Sequence, residues 1–359
     1  TRRSSDLAFE SANRAAVDPW FRFPMWKNQN SKAHAAAIEP FVYDSLYEQC
    51  QQGCAALDES YDENFTETYL RRKTERFDLR HQRQAHLASW SLLAEPAEEV
   101  VFLKEEQGRS GPLHDRLPYV QNLIENAAHR ASQKSKPCGR GKRRVILAPR
   151  VTARLLRAMA PWFFADSVQN GRSPLREAMG TALFGSALTL VDHGNHESAP
   201  WSAPFDLEGS PTQRSVLVEK GQLKSWLFDV YSATRDNRLS SGNFLRPTSE
   251  MFPRIAPSTL YIEAGDGSAR ELFEKLGTGV YFDTLEALEP VTGEPTVFTL
   301  RGTGWRVAFG EPTESLNGIE ARVDLRTLFR SASAVAKDLV FFAGYGSPSI
   351  LVEDVPLGS

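Results

Sequence analysis

The sequence predicts an α+β protein in which a small amino-terminal α+β domain precedes a larger, strand-rich carboxy-terminal domain. Three observations carry that expectation. The chain has 359 residues, enough for two domains of ordinary size. From Glu67 the apolar residues alternate as in half-buried strands, and a helical repeat follows them. Beyond Arg144, many short alternating segments are separated by Gly, Pro and Asp or Asn turns. Hydrophobic residues at 41%, charged residues at 24% and a net charge of −3 belong to a soluble globular chain rather than a disordered or membrane one.

Residues 1–65 read as an aromatic-rich extension, with Trp20, Phe21, Phe23, Trp26, Phe41, Tyr43 and Tyr47. Within it, Ile38, Phe41, Val42, Leu46 and Leu57 are spaced closely enough to a helical period to predict an amphipathic helix over 33–57, with Pro40 near its start. The amino-terminal domain occupies 66–134. Tyr69, Phe77, Leu79 and the run from Leu87 to Leu92 predict two or three amphipathic strands, and Val100 to Leu103 a short buried one. After the Ser110-Gly-Pro112 turn, Leu117, Val120, Leu123, Ile124, Ala127, Ala128 and Ala131 mark one buried face of a helix.

The run 135–143, with Lys136, Arg140, Lys142 and Arg143 among Gly and Pro, reads as a solvated basic linker. Clustered cations also suit phosphate, but nothing else in the composition points to nucleic acid. The carboxy-terminal domain, 144–359, opens with the compact β run 144–148 and a helix over 151–164 interrupted by Pro161. Strands are predicted at 187–191, 214–219, 223–231, 259–264, 279–282, 296–300, 305–309 and 350–355. Helices are predicted at 268–276, capped by Ser268 with Glu271 three residues on, and at 325–337.

No stretch approaches the roughly 18 consecutive apolar residues of a membrane span, and the start Thr1-Arg-Arg-Ser-Ser lacks the apolar run of a signal peptide. The expectation is a cytoplasmic protein without a membrane partner. Cys50, Cys54 and Cys138 form an odd set that fits a reducing compartment without structural disulfides.

Cys50 and Cys54 with His81 and His86 offer four N/S donors, the number a structural zinc needs. Their helical and charged-strand settings favour packing and solvent-facing roles instead. His193 and His196, flanked by Asp192 and Glu197 in a turn, have the chemistry of an acid/base or metal pair, but no third ligand follows at a recognisable spacing. There is no G-x-S-x-G or S-x-x-K nucleophile motif, and the Gly-x-Gly runs lack the strand-to-helix setting of a nucleotide loop.

The informative block runs from Asp206 to Ala233 and on to Ser241-Gly242-Asn243. Asp206, Glu208 and Gly209 make an acidic turn, the strands 214–219 and 223–231 meet at Lys220-Gly221, and Ser241 to Asn243 form a polar loop. On residues alone, all of this is consistent with turn chemistry. The block also resembles the D-x-E-G-x-x-T-x-x-x-x-L-[IV]-E-x-G-x-L sequence, then S-A, then [ST]-[GA]-N, of the TldD/PmbA family. Ser173-x-Leu175, Ile262-x-x-Gly265 and Pro348-Ser-Ile-Leu-Val352 extend the resemblance over about 144–355.

The resemblance implies a carboxy-terminal domain of the TldD/PmbA type. In the TldD branch an H-E-x-x-x-H helix and a later Cys hold zinc. Aligned through the preceding Leu-Leu pair, Arg157-Ala-Met-Ala-Pro-Trp162 stands at that position, and no Cys follows. The likeness is therefore to the PmbA (TldE) branch. It implies a chain without its own metal or cofactor that pairs with a TldD-like zinc metalloprotease acting on peptides, a homodimer being the other arrangement. Asp206, Glu208, Thr212, Ser241, Gly242 and Asn243 are then the candidate peptide-lining residues. The alternative is a diverged hydrolase tailoring a peptide or amino-acid conjugate in natural-product biosynthesis, with His193, His196, Asp206 and Glu208 as its acid/base candidates.

Overall fold

The computed structural model describes residues 55–73, 78–94, 101–109, 136–196, 203–247, 252–342 and 344–358, the first three spans as strand backbone. The helices expected at 117–131 and over most of 33–57, and Cys50 and Cys54, lie outside the described residues. Two compact units divide the chain, Thr1–Glu67 with Gln84–Ser135, and Thr68–Arg83 with Lys136–Ser359.

The amino-terminal strands β1 (Ala55–Lys73), β2 (Asp78–Ala94) and β3 (Val101–Arg109) form one sheet in that order. β2 and β3 run antiparallel, from His86 opposite Arg109 to Ala94 opposite Val101. All three strands are longer than the alternating runs that predict them.

The carboxy-terminal part begins with β4 (Lys136–Pro137) and β5 (Gly141–Leu147), so the expected linker is part of the sheet. β4 lies parallel to a later strand, and Cys138 between the two is 3% exposed. Lys136, Arg140 and Lys142 face water while the backbone of the run pairs, a separation that charge counting does not show.

Helix α1 (Pro149–Met159) starts with Pro at its first turn, where the missing N–H costs nothing. It buries Val151, Leu155, Leu156 and Met159 and exposes Arg154 and Arg157. Pro161 has no N–H to offer the Arg157 carbonyl, so the α-helix ends at Met159 and tightens into the 3-10 turn Ala160–Phe163. α2 (Ala165–Gln169) follows.

Next come β6 (Leu190–His193), β7 (Arg214–Glu219), β8 (Gln222–Leu223), α3 (Val230–Arg235), β9 (Phe244–Leu245), β10 (Arg254–Ile255) and β11 (Leu260–Ile262). The strand expected over 223–231 stops at Leu223. Asp229 and Ser232 form a reciprocal capping box that starts α3 instead, a local hydrogen-bond choice that outweighs the alternating pattern.

α4 (Ala269–Leu276) carries the expected box between Ser268 and Glu271. β12 (Gly279–Pro290), β13 (Val297–Ala308) and β14 (Glu311–Asp324) are long antiparallel neighbours. The two strands expected at 296–300 and 305–309 are one, because Gly302 lets the Thr284 carbonyl approach to where a Cβ would sit, 1.9 Å away. The helix expected over 325–337 is α5 (Leu325–Arg330) alone. Beyond it, β15 (Ala332–Val335) pairs with the last strand, where ladder bonds replace helical ones.

β16 (Val340–Phe342), β17 (Tyr345–Ser347) and β18 (Ile350–Leu357) close the chain. The seven-stranded sheet has order β15-β18-β5-β12-β13-β14-β4, and the six-stranded sheet β16-β17-β11-β6-β7-β8. α1 packs on strands of both, and one apolar core joins Val145, Leu155, Leu190, Leu260, Phe282 and Ile350. On the opposite side of β5, Ile146 packs with Leu272, Leu276 and Leu351 under α4. Burial on both sides explains the unbroken apolar run Val145-Ile-Leu147.

Candidate functional site

The 203–256 segment, which holds the signature block, is tied to the six-stranded sheet by buried polar groups. Asp206, fully buried, accepts at one carboxylate oxygen from the N–H groups of Glu208 (3.0 Å) and Ser210 (2.9 Å), and at the other from Phe244 N–H (3.0 Å). It therefore closes the acidic turn and holds it against β9. Burial pushes its carboxyl above the ordinary aspartate value, while these N–H donors oppose the rise. Glu208 accepts from Val230 N–H at 2.8 Å, meeting an orphan donor at the first turn of α3.

Thr212 donates its hydroxyl to the Ala203 carbonyl, and its N–H to Pro204 O at 3.1 Å. Gly242 packs directly on the Pro211–Thr212 backbone. Its φ is +74°, and a Cβ there would lie 2.5 Å from Pro211 O, so both backbone shape and space require glycine.

Ser241 accepts from Phe228 N–H at 2.7 Å and donates to Asn243 Oδ1 at 2.6 Å. Asn243 spends its two amide hydrogens on Asp192 Oδ2 (2.7 Å) and Ala256 O (3.1 Å). Asp192 in turn accepts from Thr259 N–H at 2.9 Å. One chain of bonds thus joins the α3 base, the 241–243 loop, β6 and the start of β11. Burial drives the Asp192 carboxyl up to about 6, against the hydrogen bonds from Asn243, Thr259 and Ser258.

The structure therefore gathers Asp206, Thr212, Ser241, Gly242 and Asn243 into one region, and with Glu208 they serve the main chain. Four of them, Asp206, Ser241, Gly242 and Asn243, are buried within the chain's own fold. Asp192, the hub of the network, stands out in the sequence only as a flank of the histidine pair. Its place two residues after Leu190, on the same face of β6, is the signal.

His193 ends β6 opposite Arg214. The His193 and His196 rings meet edge to face with centroids 5.3 Å apart, and His196 also abuts Tyr261 (5.4 Å) and Phe341 (4.9 Å). Partial burial and the Arg214 cation hold His193 below the usual imidazole value, so it is neutral near pH 7. Glu197 lies outside the described residues.

The residues at the zinc-helix position do not fit a metal. Arg157 is exposed on the last turn of α1, Met159 is fully buried, and Trp162 is 7% exposed in the 3-10 turn. Its carbonyl accepts from Ser173 Oγ at 2.5 Å, which gives the Ser173-x-Leu175 element a structural task. Among the described residues no three His, Cys, Asp or Glu side chains gather as a ligand set.

Residues 140–359 match the profile of the PmbA/TldA metallopeptidase C-terminal domain. An uncharacterized protein of Methanocaldococcus jannaschii is 32% identical over 180 residues, 48% of this chain and 42% of the relative. A metalloprotease of the same organism is 27% identical over 227 residues, 62% of this chain and 50% of the relative. The chain spans half or less of the length of these two relatives. The crystal structure of TldE from Thermococcus kodakarensis has the same fold, with a TM-score of 0.76 at 19% identity, covering 90% of this chain and 75% of that one.

Proposed function

Because the chain belongs to the PmbA/TldD metallopeptidase family, we propose that it acts as a PmbA-like, non-metal-binding subunit of a peptide-processing complex. The observation that carries this reading is the 157–162 segment, where an exposed Arg157, a buried Met159, a helix-ending Pro161 and a buried Trp162 replace any donor set. Zinc and the general base then come from a TldD-like partner in a heterodimer. Its own contribution is shape: the Asp206 and Asp192 networks fix the wall against which an extended peptide is held, by backbone hydrogen bonds of the strand-addition kind. The candidate residues Asp206, Glu208, Thr212, Ser241, Gly242 and Asn243 act by holding that wall. No helix among the described residues is long and apolar enough to cross a membrane, and the reading places the complex in the cytoplasm.

The test is purification of the chain alone and with a TldD-like metalloprotease, followed by zinc analysis and peptide-cleavage assays. The expected result is zinc and cleavage only when the partner is present. Stoichiometric zinc in the isolated chain would overturn the reading. Partner-free hydrolysis lost on His193→Ala would instead assign the chain as a hydrolase using its own imidazole pair.

A further inference from the structure

Among the described residues of the carboxy-terminal part, nine arginines are engaged in ion pairs. Arg144, Arg150, Arg172, Arg214, Arg270, Arg301, Arg306, Arg322 and Arg326 each face a carboxylate within 4 Å. Around α3 the pattern changes. Arg235 stacks over the Tyr231 ring at 6.0 Å and Arg238 over the Phe228 ring at 5.9 Å. Both are exposed, and stacking on a ring leaves the N–H edge of the guanidinium open to an acceptor.

Large apolar side chains surface at the same place. Val230 is 46% exposed, Tyr231 70% and Leu239 90%. They are held there by a rigid base: the Asp229 cap starts α3, Glu208 binds Val230 N–H, and the Ser240 hydroxyl and the Ser241 N–H, just after Leu239, donate to the Phe228 carbonyl. The carboxylates of Asp229 and Glu208 are engaged by main-chain N–H groups. Asp236 is the single acidic residue between Val230 and Pro247, against Arg235, Arg238 and Arg246, in a chain whose net charge is −3.

The geometry points to the α3 face as a docking surface for a peptide segment that alternates carboxylates with apolar side chains. The occupant follows from charge and shape. Guanidinium edges presented beside Tyr231 take carboxylates by paired, charge-assisted hydrogen bonds, while Val230, Tyr231 and Leu239 cover aliphatic or aromatic side chains. Exposed Tyr and Arg on a preorganised base are the residue types that concentrate binding energy at protein interfaces. This inference goes beyond the subunit reading, because it concerns recognition by this chain alone.

The test is fluorescence anisotropy of the full chain with a short labelled peptide alternating Glu with Leu or Phe. Its controls carry Lys in place of Glu, or Ser in place of Leu and Phe. The acidic apolar peptide should bind, both controls should bind at least about tenfold more weakly, and salt should weaken the complex. Arg235→Glu with Arg238→Glu, and separately Tyr231→Ser, should each cost roughly tenfold or more, with far-ultraviolet circular dichroism unchanged. Equal binding of the Lys peptide, or full binding by both variants, would overturn the proposal. So would variant-sensitive binding to phosphatidylserine vesicles in the absence of peptide binding, or a self-association abolished by the same variants, which would make a second copy the occupant.

Discussion

The side-chain amide of Asn243 reaches the buried carboxylate of Asp192 at 2.7 Å, and through this one bond the signature loop is fastened to the six-stranded sheet. Asn243 also accepts from Ser241 and donates to Ala256 O, so it has no capacity left for a ligand at its amide hydrogens. Asn243→Ala would strand a buried carboxylate oxygen, a hydroxyl and a carbonyl together. A loss of about 2–4 kcal/mol is expected in urea unfolding followed by tryptophan fluorescence. A loss under about 1 kcal/mol would show that the network does not hold the loop.

The same pair sets a pH dependence. Asp192 titrates near 6 in the folded chain against 3.8 for the free side chain, and burial is the leading cause. The folded state therefore binds this proton more tightly than the unfolded one. Its contribution is fully present below about pH 4 and is lost as pH rises through 6, a change of about 2–3 kcal/mol. Asp192→Asn removes the titration. Its stability deficit relative to the parent chain should accordingly be largest near pH 4 and shrink by pH 7.5. A deficit that stays constant, or grows with pH, would reverse the sign of the assignment.

Phe309 tips the β13–β14 hairpin with φ +54°, followed by Gly310 at +79°, between the paired Ala308 and Glu311. Two-residue turns with both φ values positive favour Asn-Gly, and a bulky side chain there is strained. At 96% exposure Phe309 regains nothing by packing. Phe309→Asn should stabilise the chain by roughly 0.5–1 kcal/mol, read as a higher urea midpoint at unchanged slope. A lower midpoint would mean that the ring has a packing role.

Local hydrogen-bond chemistry decides which elements could be read in advance. The α4 cap was legible because Ser268 and Glu271 are three residues apart and both partners lie in the same turn. Strand β7 was legible over its full length, Arg214–Glu219, because the Lys220-Gly221 turn fixes its end. The 223–231 run alternates just as well, yet Asp229 captures Ser232 and turns the chain into α3. For the candidate site, order and spacing single out residues 206–243, and the fold brings Asp206, Thr212, Ser241, Gly242 and Asn243 into one region. Order and spacing did not show which side of the surface each group faces, because Asp206 and Asn243 find their partners, Phe244 and Asp192, 38 and 51 residues away.

The 157–162 segment differs from a metal helix in its backbone as well as in its side chains, and this can be tested by restoring the side chains. Arg157→His, Ala158→Glu and Trp162→His together recreate H-E-x-x-x-H. Position 157 is exposed on the last turn of α1, whereas position 162 lies in the core after Pro161 has ended the α-helix. Two imidazoles placed there face different surroundings and do not converge on one ion. The later cysteine of the TldD-branch pattern also has no counterpart, since residues 139–359 contain no cysteine. Removing Trp162 from the core should cost about 3–5 kcal/mol by itself. The triple variant is therefore expected to be strongly destabilised and, where folded, to retain no stoichiometric zinc after dialysis, measured by mass spectrometry of the metal. A folded variant holding one zinc per chain would show that side chains alone separate this chain from a metal-binding relative, and that the broken helix is no barrier.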